Sequence, residues 1–103
     1  MIKVTVTRSR WGSVRTLKVY NHGDPIVCAA VSVLVLSTVN SIEALTDEKF
    51  NCNYAEEGGF LEIKFLEETL GRDARLLTDS LMLGLQSISE EYPSNITIEE
   101  VAT

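Results

Sequence analysis

The stretch YNHGDPIVCAAVSVLVLS, residues 20 to 37, decides the fold, because its second half has strand propensity while its opening reads as the start of a helix. VSVLVL is rich in β-branched residues, which suit a half-buried pleated surface. The residues before it argue otherwise. Asp24 is a good N-cap, Pro25 fits the first helical position, where a missing N–H costs nothing, and Ala29 and Ala30 favour helix. The pattern predicts a helix over Pro25 to Leu45, apolar nearly all round. Such a helix must be covered on most sides, and in a chain of 103 residues that calls for a sheet on one face and a second copy of the protein on another.

Outward from this helix, IKVTVT (2 to 7) and VRTLKVY (14 to 20) alternate apolar and polar residues and flank SRWGS, whose glycine can turn a hairpin. FNCNYA and FLEIKFL (60 to 66) repeat the pattern around EEGG, where Gly58 and Gly59 can take the positive φ of a tight turn. Between Glu67 and Tyr92, apolar side chains recur at Leu70, Ala74, Leu77, Leu81, Leu85, Ile88 and Tyr92, a three-and-four spacing that predicts an amphipathic helix. Pro93 closes it, and NITIEEV supplies a last strand with Ile96 and Ile98 on one side. The expectation is an α+β fold in one domain spanning 1–103: two β-hairpins plus a C-terminal strand forming a sheet, with two long helices.

Composition narrows the function classes. The unbroken apolar stretches within Ile26 to Leu36 fall short of the roughly 20 residues of a membrane span, so no membrane partner is expected. MIKVTVTRSR lacks the apolar core of a signal peptide, which points to the cytoplasm, where Cys28 and Cys52 would be reduced. Neither cysteine belongs to a Cys-x-x-Cys pair or a Cys/His cluster of metal spacing, so neither a disulfide nor a zinc site is expected, and the thiol hydrolysis considered below requires no metal or organic cofactor. A net charge of −6 argues against nucleic acid, which is bound by clustered Lys and Arg, and suits a basic protein substrate.

Cys28 falls in the first turn of the predicted helix, where unpaired backbone N–H groups and the positive end of the helix dipole favour a thiolate. His22, across Gly23, can fold back as a general base, and Ser32, four residues beyond Cys28, shares its helix face. Against this stands a plainer reading: a cysteine is often one more small buried side chain, and a nearby histidine a coincidence. Spacing alone leaves both open.

DPIVCAAVS (24 to 32) resembles the D-I-V-C-A-A-x-S signature of the ribosomal-processing cysteine proteases, the Prp family. STVNSIEAL, GGFLEI and LGLQSISEEYP are similar to the same family, in the same order and over nearly the whole chain. The resemblance implies a small dimeric α+β endopeptidase that removes the N-terminal extension, with aromatic residues before the bond cut, from a basic ribosomal protein, the twenty-seventh of the large subunit. It places the nucleophile on Cys28 and the helix serine on Ser32. The family's aspartate stands three residues before the cysteine, where this chain has Pro25; Asp24, one place earlier, is left to cap the helix or orient the histidine. The family's histidine belongs to a Gly-His-Ala triplet about a dozen residues before the cysteine, and this chain has no such triplet. Either the loop is shortened and His22 has become the base, or a triplet-bearing segment between Val19 and Tyr20 is missing from the sequence as read and His22 is a loop residue.

The alternative within the same fold is a ribosome-associated binding module that has lost proteolysis, and a third reading is a thiol redox sensor using Cys28. Cys52, on the alternating FNCNYA strand, reads as packing or as exposed edge, and Trp11 as a hairpin-end aromatic covering the core or, less simply, a dimer or substrate contact. The pairs Glu56-Glu57, Glu67-Glu68 and Glu90-Glu91 read as solvated surface that can attract a basic extension.

Overall fold

A computed structural model describes residues 1–102. Strands β1 (Ile2–Arg8) and β2 (Val14–Tyr20) form the first hairpin, helix α1 runs over Pro25–Leu45, and β3 (Phe50–Tyr54) and β4 (Phe60–Phe65) form the second hairpin. Helix α2 (Arg72–Glu91) and strand β5 (Ile96–Ala102) follow. The strands make one mixed sheet in the order β3-β4-β2-β1-β5, antiparallel except where β5 joins β1 in parallel. That is the expected α+β arrangement of two hairpins, a last strand and two helices.

Register fixes which side chains meet the helices. Val4 opposes Val19 and Val6 opposes Leu17, while Leu17 opposes Ile63, so one alternating set forms a continuous apolar face. Ile2, Val4, Val6, Leu17, Ile63 and Phe65 on this face are buried. Helix α1 lays Val27, Val31, Val35, Val39 and Ile42 upon it, a stripe spaced by four and three that leaves each side chain fully or almost fully covered. Each such side chain contributes about 1.5–3 kcal/mol by leaving water, far more than the few tenths by which β-branching disfavours helix. Burial therefore overrides strand propensity in VSVLVL.

The N-terminus of α1 is built as expected: the Asp24 carboxylate accepts from the Ile26 N–H at 2.9 Å, and Pro25 occupies the first turn. At the other end the Thr46 N–H and hydroxyl both donate to the Ile42 carbonyl. Counting unbroken apolar runs understated this element. With its serines, threonine and asparagine absorbed into the turns, the 21-residue helix is long and apolar enough to cross a membrane by length and composition, a test that a core helix packed on a sheet also passes.

A flank of α1 is taken by α2, where Leu34 lies so close to Gly84 that a β-carbon there would stand 2.6 Å from Leu34 Cδ2. Ile26 and Val33 stay exposed on the outward side. Helix α2 also begins later than Glu67. The Leu70 N–H donates to the buried Ser13 hydroxyl and the Gly71 N–H to the Glu48 carboxylate, so these residues are held in an extended entry and the helix starts at Arg72. Trp11 does not cover the core. It is 57% exposed at the tip of the first hairpin, turned outward by the left-handed Gly12 beside it, with the Arg10 guanidinium 5.0 Å above its ring.

Candidate active site

The sheet end at which β1 begins and β2 finishes carries the start of α1. Val19 and Tyr20 run without interruption in β2, paired with Val4 and Lys3 on one side and with Leu61 and Phe60 on the other. Asn21 then takes a left-handed φ of 72°, which asparagine tolerates better than most residues, and its N–H donates to the Gly59 carbonyl. Four residues, Asn21 to Asp24, complete the connection to α1.

This short connection wraps the cysteine. The Gly23 N–H donates to Cys28 Sγ at 3.3 Å, and the thiol faces the Gly23 carbonyl at 3.7 Å. The Cys28 N–H is held by the Asp24 carbonyl, and the sulfur is half-buried. Asp24 thus serves as the helix cap, through both its carboxylate and its carbonyl. Beside the sulfur opens a groove of about 680 Å³, walled by α1 on one side and by the helix-facing sides of β3 and β4 on the other. Cys28, Ser32 and His22 all line it.

His22 is held from below by the second hairpin. Its ring stands over Gly58 and Gly59, and a β-carbon on Gly59 would lie 2.7 Å from His22 Nε2. Its carbonyl accepts from the Met1 ammonium at 3.0 Å. The structure brings His22 and Cys28 to the same groove, but among the described residues no hydrogen bond joins the imidazole to the thiol, whose partners are both on Gly23. Gly23 and the Gly58–Gly59 turn are the parts that sequence reasoning missed. The glycines were legible as turn residues, not as the floor under an imidazole.

Gly59 has φ +83°, a region where a β-carbon is strained, so Gly59→Ala should cost about 1–2 kcal/mol. It should also displace the His22 ring. Thermal melts and the His22 imidazole NMR signals check this, and unchanged values in both would remove the turn from the site.

The wall contributed by β3 presents Phe50, Cys52 and Tyr54. Burial pushes the Cys52 thiol up from its ordinary value, so little of it is thiolate at neutral pH. Cys52 should therefore alkylate slowly at pH 7 and accelerate steeply above pH 9, as read by peptide mapping after timed iodoacetamide labelling. Labelling as fast as a free thiol at pH 7 would contradict this burial.

A groove beside a cysteine at a helix N-terminus fits a thiol acting on an extended chain, and comparison with known proteins gives that fit a family. The family model for the cysteine protease Prp matches residues 1–97. The chain belongs to the Prp cysteine protease family. It is 34% identical over 104 residues to the ribosomal processing cysteine protease Prp of Staphylococcus aureus, with 95% of this chain and 97% of that one covered. A crystal structure of the essential ribosomal processing protease Prp from S. aureus with a covalently linked product peptide superposes with TM-score 0.92 and 33% identity, covering 98% of this chain and all of the other. A second, with a substrate peptide, gives 0.91 and 31% over the same shares. Like the rest of the Prp family, this chain is an enzyme, a cysteine protease that hydrolyses peptide bonds.

Proposed function

We propose that this Prp-family protease removes the N-terminal extension of a basic ribosomal protein, the twenty-seventh of the large subunit, with Cys28 as nucleophile. The observation that carries the assignment is the seating of Cys28: first turn of α1, sulfur hydrogen-bonded to Gly23 and on the wall of a groove of about 680 Å³. The thiolate attacks the scissile carbonyl carbon. The Gly23 N–H, 3.3 Å from the sulfur, is then a donor that the oxyanion formed there would meet. A histidine passes a proton to the departing amine as the C–N bond breaks, and water hydrolyses the thioester and restores the thiol. No metal or organic cofactor enters these steps.

His22 is the candidate base, with Ser32 and Asp24 in support, Ser32 on the groove wall one turn beyond the sulfur and Asp24 through the cap that holds the first turn. The imidazole and the thiol line the same groove without a hydrogen bond between them among the described residues, and catalytic hydrogen bonds often tighten only in the complex. Loss of cleavage in His22→Ala with an intact mass of 11.4 kDa makes His22 the base. Retained cleavage with a heavier chain places the base in a segment between Val19 and Tyr20.

Incubation with the unprocessed ribosomal protein tests the assignment: one defined cut, giving the mature N-terminus by mass spectrometry, is expected. Binding without a cut would overturn it. The protein should act in the cytoplasm as a homodimer, the exposed Ile26 and Val33 on the outward side of α1 providing the apolar surface for a second copy. Sedimentation at micromolar concentration checks the dimer, and a sharp monomer peak would exclude it.

A further inference from the structure

The groove has a far end as well as a near one. Along α1 its wall runs from Cys28 through Ser32 and Leu36 to Asn40 and Glu43, and the opposite wall returns from Phe50 to Tyr54, so Phe50 faces the Glu43 end and Tyr54 the Cys28 end. Its middle is apolar. The acidic side chains that line it are Glu43, at the far end, and Glu56, which follows Tyr54 at the near end; among the described residues no lysine or arginine lines it. Glu43 is exposed, and no ion pair to it is present among the described residues.

We propose that Glu43 is a specificity-determining residue that binds a lysine or arginine of the substrate several residues from the bond cut. The inference rests on Cys28 marking the point of cleavage. Glu43 lies fifteen positions beyond Cys28 in α1, about 22 Å at 1.5 Å per residue, which an extended peptide spans in about seven residues. A cation placed there meets an unpaired carboxylate, while the apolar residues between it and the scissile bond lie against Leu36, Val39 and Phe50. A peptide with an acidic residue at this point meets repulsion instead, so the subsite selects by exclusion as well as by attraction.

The test uses the Cys28→Ala protein as a binder and fluorescence anisotropy as the readout. Labelled peptides share one apolar centre, and a single lysine is walked outward along an uncharged flank on each side. One position, about seven residues from the bond that the unmodified protein cuts, is expected to bind about fivefold more tightly with lysine than with glutamine, the size of a well-placed exposed ion pair, and to lose that preference in high salt. Adding Glu43→Gln should erase the preference, and Glu43→Lys should transfer it to glutamate at the same position. A lysine preference that survives Glu43→Gln, or none at any position, overturns the proposal. Cleavage of the same peptides by the unmodified protein is scored separately: cutting without lysine preference defeats the subsite alone, whereas a Glu43-dependent preference without cutting supports the subsite and defeats the placement of the cut at Cys28.

Discussion

Cys28→Ala is expected to abolish processing of the ribosomal precursor while leaving the protein folded. Removing a nucleophile that forms the covalent intermediate costs roughly a thousandfold to a millionfold in turnover, because no neighbouring group can take its place. Cys28 packs at the margin of the core with its sulfur half-buried, and the helix it begins is capped by Asp24 independently of the thiol. The loss should therefore appear in kcat, with the melting temperature within a few degrees of the unmodified protein. Measured cleavage within tenfold of the unmodified protein would falsify Cys28 as nucleophile. Cys28→Ser is the sharper companion, since it keeps a hydroxyl near Gly23 but not the ease of ionisation.

The second large effect is on folding. Val35 sits at the centre of the α1 stripe, 1% exposed, and Val35→Asp would bury a carboxylate with no partner on a face made of valine, isoleucine and leucine. The penalty is several kcal/mol, against a total stability of about 5–15 kcal/mol for a domain of this size, so most of the protein should be unfolded or aggregated at 37 °C. Its neighbour separates core from surface. Leu36 is 41% exposed and lines the groove, so Leu36→Asp should keep the fold within about 1 kcal/mol and act on peptide binding instead. Circular dichroism melts of the two variants decide the matter: equal stability would mean that α1 is rotated from the placement described.

Much of this architecture was legible because local patterns and global burial agree. Asp24-Pro25 marked the start of α1 and the structure begins the helix at Pro25, since a cap and a proline restrict the backbone before any tertiary contact forms. The three-and-four spacing from Leu70 onward similarly located α2, and the alternation in β1 and β4 matches which of their side chains are buried, whereas β2 buries Val14 and Leu17, three positions apart. Where tertiary hydrogen bonds compete with local pattern, the structure departs from that pattern. Leu70 belongs to the apolar stripe and is buried, yet its N–H goes to Ser13, fifty-seven residues away, and the helix waits until Arg72. Trp11 was expected to cover the core, and a left-handed glycine beside it turned the ring to solvent.

For the site, the sequence by itself determined Cys28's address at the first turn of a helix and the signature that goes with it, because capping and periodicity act within a few residues. Tertiary structure alone decided what surrounds the sulfur: Gly23 folded back upon it, the Gly58–Gly59 turn of another hairpin under His22, and β3 as the far wall of the groove. These partners come from separate strands brought together by sheet register. Register is set by which apolar faces bury one another across the whole chain, a long-range free-energy balance that no short stretch of residues contains.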